Sequence, residues 1–127
     1  MRRLSIAVVM LLAITTACGG GAEPGDATPQ EATVLEVDNQ NSLDMNIFVV
    51  RSSGARERLG TATAHTRSRF TIPARLIFGI TPLRFQADPI GGRAAPVSQE
   101  ITVQPGDTVV LRIPPGDNQP NSVSNRG

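Results

Sequence analysis

The sequence predicts an all-β fold, a small seven-stranded antiparallel β-sandwich with disordered ends. Three observations lead there. Short apolar segments alternating with polar residues at a period of two recur between Thr33 and Ile113. Glycine, proline, asparagine and serine punctuate them at close intervals, as in small two-sheet folds. Helical periodicity is nearly absent, and only Pro73–Gly79 could make a helical turn.

In chain order, Thr33–Asp38 sets Leu35 and Val37 against Glu36 and Asp38, which predicts a strand with one exposed face. Asn46–Arg51 carries the unbroken run Ile47-Phe48-Val49-Val50 and is expected to be central and covered on both faces. Ser52-Ser53-Gly54 turns the chain. Arg58–Ala64 is a third strand in which Gly60 marks a bulge or a weak point. Ser68–Ile72 is the fourth, with Phe70 and Ile72 on one face and Arg69 and Thr71 on the other. Leu83–Asp88 points Leu83, Phe85 and Ala87 inward and Arg84, Gln86 and Asp88 outward. Val97–Val103 and Thr108–Ile113 flank the tight turn Pro105-Gly106-Asp107, where proline presets φ and glycine accepts a positive φ. The four phenylalanines, Phe48, Phe70, Phe78 and Phe85, all fall in apolar segments and are expected in the core.

The ends read differently. Arg2 and Arg3 precede an apolar run from Leu4 to Ile14, then Thr15, Thr16, Ala17 and Cys18, followed by three glycines. This is the layout of an export signal. Eleven helical residues cover only about 16 Å, against roughly 30 Å of bilayer core. Gly19–Glu31 mixes glycine, proline and acids with little to bury and predicts a flexible tether. Residues 1–17 are thus a signal peptide, 18–31 a tether, 32–114 the sandwich domain and 115–127 a disordered tail.

Thr16-Ala17-Cys18 resembles the end of a bacterial lipoprotein signal, with Thr15 where that motif usually has leucine. The resemblance implies a diacylglycerol thioether on Cys18, cleavage before it and acylation of the new amine. Cysteine suits that chemistry because its thiolate is nucleophilic near neutral pH. Cys18 is also the single cysteine, so an exported chain has no intramolecular disulfide to use it in. The implied location is the cell envelope, anchored to a membrane through lipid. Gly19 after the cysteine implies the periplasmic face of the outer membrane in a double-membrane bacterium. The body, Thr33–Pro114 with its segment ITVQPGDTVVLRI, resembles small bacterial envelope sandwiches of the immunoglobulin-like or transthyretin-like kind. That implies architecture and no activity.

Composition narrows function. After cleavage the net formal charge is −1, which argues against nucleic acid, whose binders present a basic footprint. Every basic residue is arginine, and tryptophan and tyrosine are absent, which removes the usual aromatic anchors for sugars and interfaces. His65 is the only imidazole, so a blue-copper site lacks its ligands and no clustered zinc spacing exists. Gly91-Gly92-Arg93 is a two-glycine turn and not a phosphate loop. No cofactor and no metal are expected. A nucleophilic triad would need His65 with Ser68 and Asp88 or Asp107, yet Ala64-His65-Thr66-Arg67 reads as a polar turn. One group stands above background: Arg51, Arg56, Arg58, Arg67, Arg69 and Arg75, which would share an anion-binding surface if the second, third and fourth strands were neighbours. The expected function is a non-enzymatic, membrane-anchored lipoprotein whose sandwich meets a protein or an envelope polymer. The alternative is a small periplasmic hydrolase or ligand carrier built on His65 or an inter-sheet cavity.

Overall fold

Residues 31–93, 97–116 and 121–127 are described by the structure, a computed structural model. The expected signal peptide, Cys18 and the expected tether before Glu31 lie outside the described residues. Eight strands follow in order: β1 (Val34–Asn39), β2 (Met45–Arg51), β3 (Arg56–Ala62), β4 (Arg67–Thr71), β5 (Thr81–Pro89), β6 (Ile101–Val103), β7 (Thr108–Ile113) and β8 (Ser122–Asn125). A single 3-10 turn, Ala74–Leu76, interrupts the β4–β5 connection.

The strands form two four-stranded sheets, in the orders β4-β1-β7-β8 and β3-β2-β5-β6. Alternation decides which side chains meet between them. Leu35 and Val37 from β1, with Val109, Leu111 and Ile113 from β7, face Ile47 and Val49 from β2 and Leu83, Phe85 and Ala87 from β5. All are buried, at roughly 1.5–3 kcal/mol for each large side chain removed from water. The all-β sandwich is therefore what the molecule builds.

Four expectations are corrected. The sheets are not wholly antiparallel, because β1 and β7 pair in parallel, Val34 opposite Thr108 through Asn39 opposite Ile113. The tail expected to be disordered contains a strand: β8 pairs antiparallel with β7 and seats Val123 opposite Leu111. One apolar residue in a serine- and asparagine-rich segment carries no alternation signal, so this strand is defined by its backbone partner. The strand order also differs from an immunoglobulin domain, where the first two strands share a sheet; here β1 and β2 lie in opposite sheets. Finally, Phe78 is exposed, and Phe48 stands on the outer face of its sheet beneath the Arg56 guanidinium, 4.4 Å from the ring centroid. Arginine, and not a second protein layer, covers that side of β2.

Other local features follow the sequence closely. The bulge lies in β3, where Ile47 pairs with Gly60 and Phe48 with Arg58, leaving Leu59 as the extra residue. Gly106 has φ 90° at the Pro105-Gly106 turn, closed by the Asp107 N–H on the Gln104 carbonyl at 3.2 Å.

The registers define two poles. Glu31–Thr33, the β2–β3 turn, the β4–β5 loop and the β6–β7 turn gather at one, the entry pole. The β1–β2 and β3–β4 connections gather at the other, with the ends of β5 and β7. Thr33 ties the entry pole together: its carbonyl accepts from the Ile72 N–H and its hydroxyl from the Gly106 N–H, each at 2.9 Å. Asn39 ties the far pole, its amide reaching the carbonyls of Leu43, Ala62 and Thr63.

Candidate functional site

The outer face of the β4-β1-β7-β8 sheet collects charge. Because Leu35 and Val37 turn inward, Glu36 and Asp38 must point outward from a central strand. The register then sets their neighbours. Antiparallel pairing places Arg69 opposite Glu36 and Arg67 opposite Asp38, while the parallel pair places Arg112 opposite Asp38 on the other side. Arg126 follows β8 and closes the row beside Glu36.

Each carboxylate lies between two guanidinium groups. Asp38 has Arg67 and Arg112 at 3.7 Å, and Glu36 has Arg69 at 3.7 Å and Arg126 at 3.4 Å. Charge-assisted hydrogen bonds normally close to about 2.7–2.9 Å. Arg126 donates a long hydrogen bond to Glu36, the other three pairs are loose Coulombic neighbours, and the four arginine side chains remain largely exposed. Their donors stay available to a further anion. The row floors a shallow depression of about 310 Å³, in which four cationic groups outnumber two carboxylates.

Only Arg67 and Arg69 of the six arginines expected to act together sit here. Arg56 and Arg58 decorate the outer face of the opposite sheet, because β3 and β4 belong to different sheets. Arg56 bonds Gln86 at 2.9 Å and Asp88 at 3.2 Å, and Arg58 bonds Asn46 and Thr61. Arg75 pairs with Glu57 beside the 3-10 turn, and Arg51 is exposed where β2 ends. Proximity along the chain groups residues that the sandwich divides. Conversely, Arg112 and Arg126 join the site from distant segments. The outward direction of Arg112 is legible from its alternation with Leu111 and Ile113, but its place beside Asp38 requires the parallel β1–β7 pair.

His65 occupies the β3–β4 turn at the far pole, exposed and with φ 55°. Its ring makes no hydrogen bond with Ser68, Asp88 or Asp107 among the described residues. Asp107 lies at the entry pole, accepting from the Gln104 N–H at 2.8 Å and from Asn125. Asp88 is held by Arg56. Among the described residues no group of three or more histidine, cysteine, aspartate or glutamate side chains is arranged to hold a metal ion. No helix among them is long and apolar enough to cross a membrane.

Neither a family model nor a curated protein matches this chain. Among solved structures, the chain is similar to an NMR structure of a protein from Eubacterium rectale, at 18% identity and a TM-score of 0.41, over 84% of this chain and 95% of that one.

Proposed function

We propose that this protein is a non-enzymatic envelope lipoprotein, anchored through Cys18, whose sandwich binds anionic groups on a protein or envelope polymer across the outer face of β4-β1-β7-β8. The observation that carries the reading is the excess of guanidinium over carboxylate around the 310 Å³ depression. Arginine forks match carboxylate and phosphate geometry, and an anion seated among Arg67, Arg69 and Arg112 would find unused donors. The anchor rests on the sequence around Cys18.

Titration of the mature chain with polyglutamate and with polyphosphate tests the site and separates the two anion chemistries. Replacing Arg67, Arg69 and Arg112 together by glutamine should weaken binding by about tenfold, equivalent to about 1.4 kcal/mol. Added salt should weaken it further, as expected for exposed charges. Replacing Arg56 and Arg58 by glutamine on the opposite sheet should leave it unchanged. Equal losses from the two sets would reject the site, as would no binding of either polymer.

A further inference from the structure

The β4–β5 loop holds two large apolar side chains in water. Phe78, expected in the core from its apolar surroundings, is 77% exposed, and Ile80 is 71% exposed. The reason they cannot turn inward is that the interior positions are filled. Leu76 and Ile77 are buried and hold the base of the loop against the core. Gly79, at φ 61°, reverses the chain, and the Phe78 N–H donates to the Thr81 hydroxyl at 2.8 Å, which closes the tip. The fold therefore presents this pair outward. Scattered exposed hydrophobics need no explanation, but two on one braced tip form a small apolar contact surface.

Its position identifies what it meets. The loop stands at the entry pole, and Ile77, Ala74 and Ile72 line a depression together with Glu31, Ala32 and Thr33, the residues through which the chain arrives from Cys18. The thirteen residues Gly19–Glu31 lead from Cys18 into the domain. A chain of that length and composition reaches about 20 Å. A lipid on Cys18 would thus keep the entry pole within about 20 Å of the bilayer surface, closer on average than the far pole. Exposed Arg51, at the end of β2, lies at the same pole and offers a cation to anionic headgroups.

We infer that the Phe78–Ile80 loop is a membrane-contact tip, seated in the headgroup region of the bilayer that carries the lipid anchor. This rests on the reading of Cys18 as lipidated. Aromatic and aliphatic side chains at this depth are favoured because their apolar surface leaves water while the backbone stays hydrated. Contact at the tip turns a loose attachment into an oriented one. The sheets stand away from the membrane, the His65 pole faces outward, and the arginine face stays open to a partner alongside.

The chain has no tryptophan, so one introduced tryptophan is a unique reporter. Two full-length variants, Phe78→Trp and Ile90→Trp, are purified with their lipid and reconstituted in vesicles of phosphatidylethanolamine and phosphatidylglycerol, with and without brominated acyl chains. Ile90 is an exposed residue at the far pole, where its N–H bonds the Asp44 carbonyl. Tryptophan at 78 should lose about half its emission to bromine, as expected for a ring within roughly 5–10 Å of the acyl boundary, and tryptophan at 90 should lose none. Adding Ile80→Ser to Phe78→Trp should reduce the quenching. Equal quenching at both positions, or none at 78, overturns the contact. A blue shift at 78 that occurs without vesicles and fades on dilution assigns the loop to a second copy of the chain and overturns it as well. Intact mass measures the anchor independently. An unmodified Cys18 refutes lipidation only, and quenching at 78 on added vesicles then still decides for or against the loop.

Discussion

Asn39 is the residue on which the far pole depends most. It is 1% exposed at the end of β1, a position where alternation calls for an apolar side chain. Its amide nitrogen lies 2.9, 3.1 and 3.2 Å from the carbonyls of Leu43, Ala62 and Thr63, and its side-chain oxygen accepts from the Asn41 N–H at 3.0 Å. Two N–H donors serve three carbonyls and the oxygen accepts one bond, so the side chain supplies three independent hydrogen bonds. At about 1 kcal/mol each, Asn39→Ala should cost about 3 kcal/mol, since the Ala62 carbonyl it leaves is buried and those of Leu43 and Thr63 are partly so. For a domain of this size that corresponds to a fall in Tm of about 12–24 °C. The measurement is thermal unfolding by far-ultraviolet circular dichroism, since the chain lacks tryptophan and tyrosine. The mature chain carrying Cys18→Ser avoids any contribution from lipid. Asn39→Asp preserves the shape and the acceptor but sets a carboxylate against three carbonyl oxygens, and should melt no higher than Asn39→Ala. An alanine variant melting within about 3 °C of the parent would refute the account, since that is under about 1 kcal/mol.

The remaining predictions concern the bulge and the anchor. A Cβ at Gly60 would stand 2.5 Å from Phe70 Cε1, so Gly60→Ala should cost about 1–3 kcal/mol by overpacking. Phe70→Leu removes the obstructing ring edge, and urea midpoints of the double variant should show recovery; simply additive losses would count against the contact. Cys18→Ser should move the full chain from the membrane fraction to the soluble fraction, and its recovery wholly in membranes would refute the anchor.

How far residues alone reach is clearest in β5 and β7. Leu83, Phe85, Ala87, Val109, Leu111 and Ile113 are buried where alternation puts them. The same reasoning misjudged Phe78, because apolarity does not reveal that Leu76 and Ile77 already occupy the adjacent core positions. The burial of Asn39 is illegible in the sequence for the complementary reason. A buried amide is tolerated only where carbonyls converge on it, and those carbonyls come from Leu43, Ala62 and Thr63 in later segments.

The candidate site shows the same division. Outward orientation of Glu36, Asp38, Arg69 and Arg112 was legible residue by residue. Their assembly into one charged row was not, since it depends on β4 and β7 flanking β1 while β3 joins the opposite sheet. The amino-acid order by itself determined the all-β class, the main turns and the face on which most side chains lie, because the strand period of two is a local property of the backbone. Strand partners, the parallel β1–β7 pair and the β8 edge were decided only by tertiary structure. Pairing is set by which hydrophobic faces can be buried together and which backbone groups still need partners, and both are properties of the whole chain.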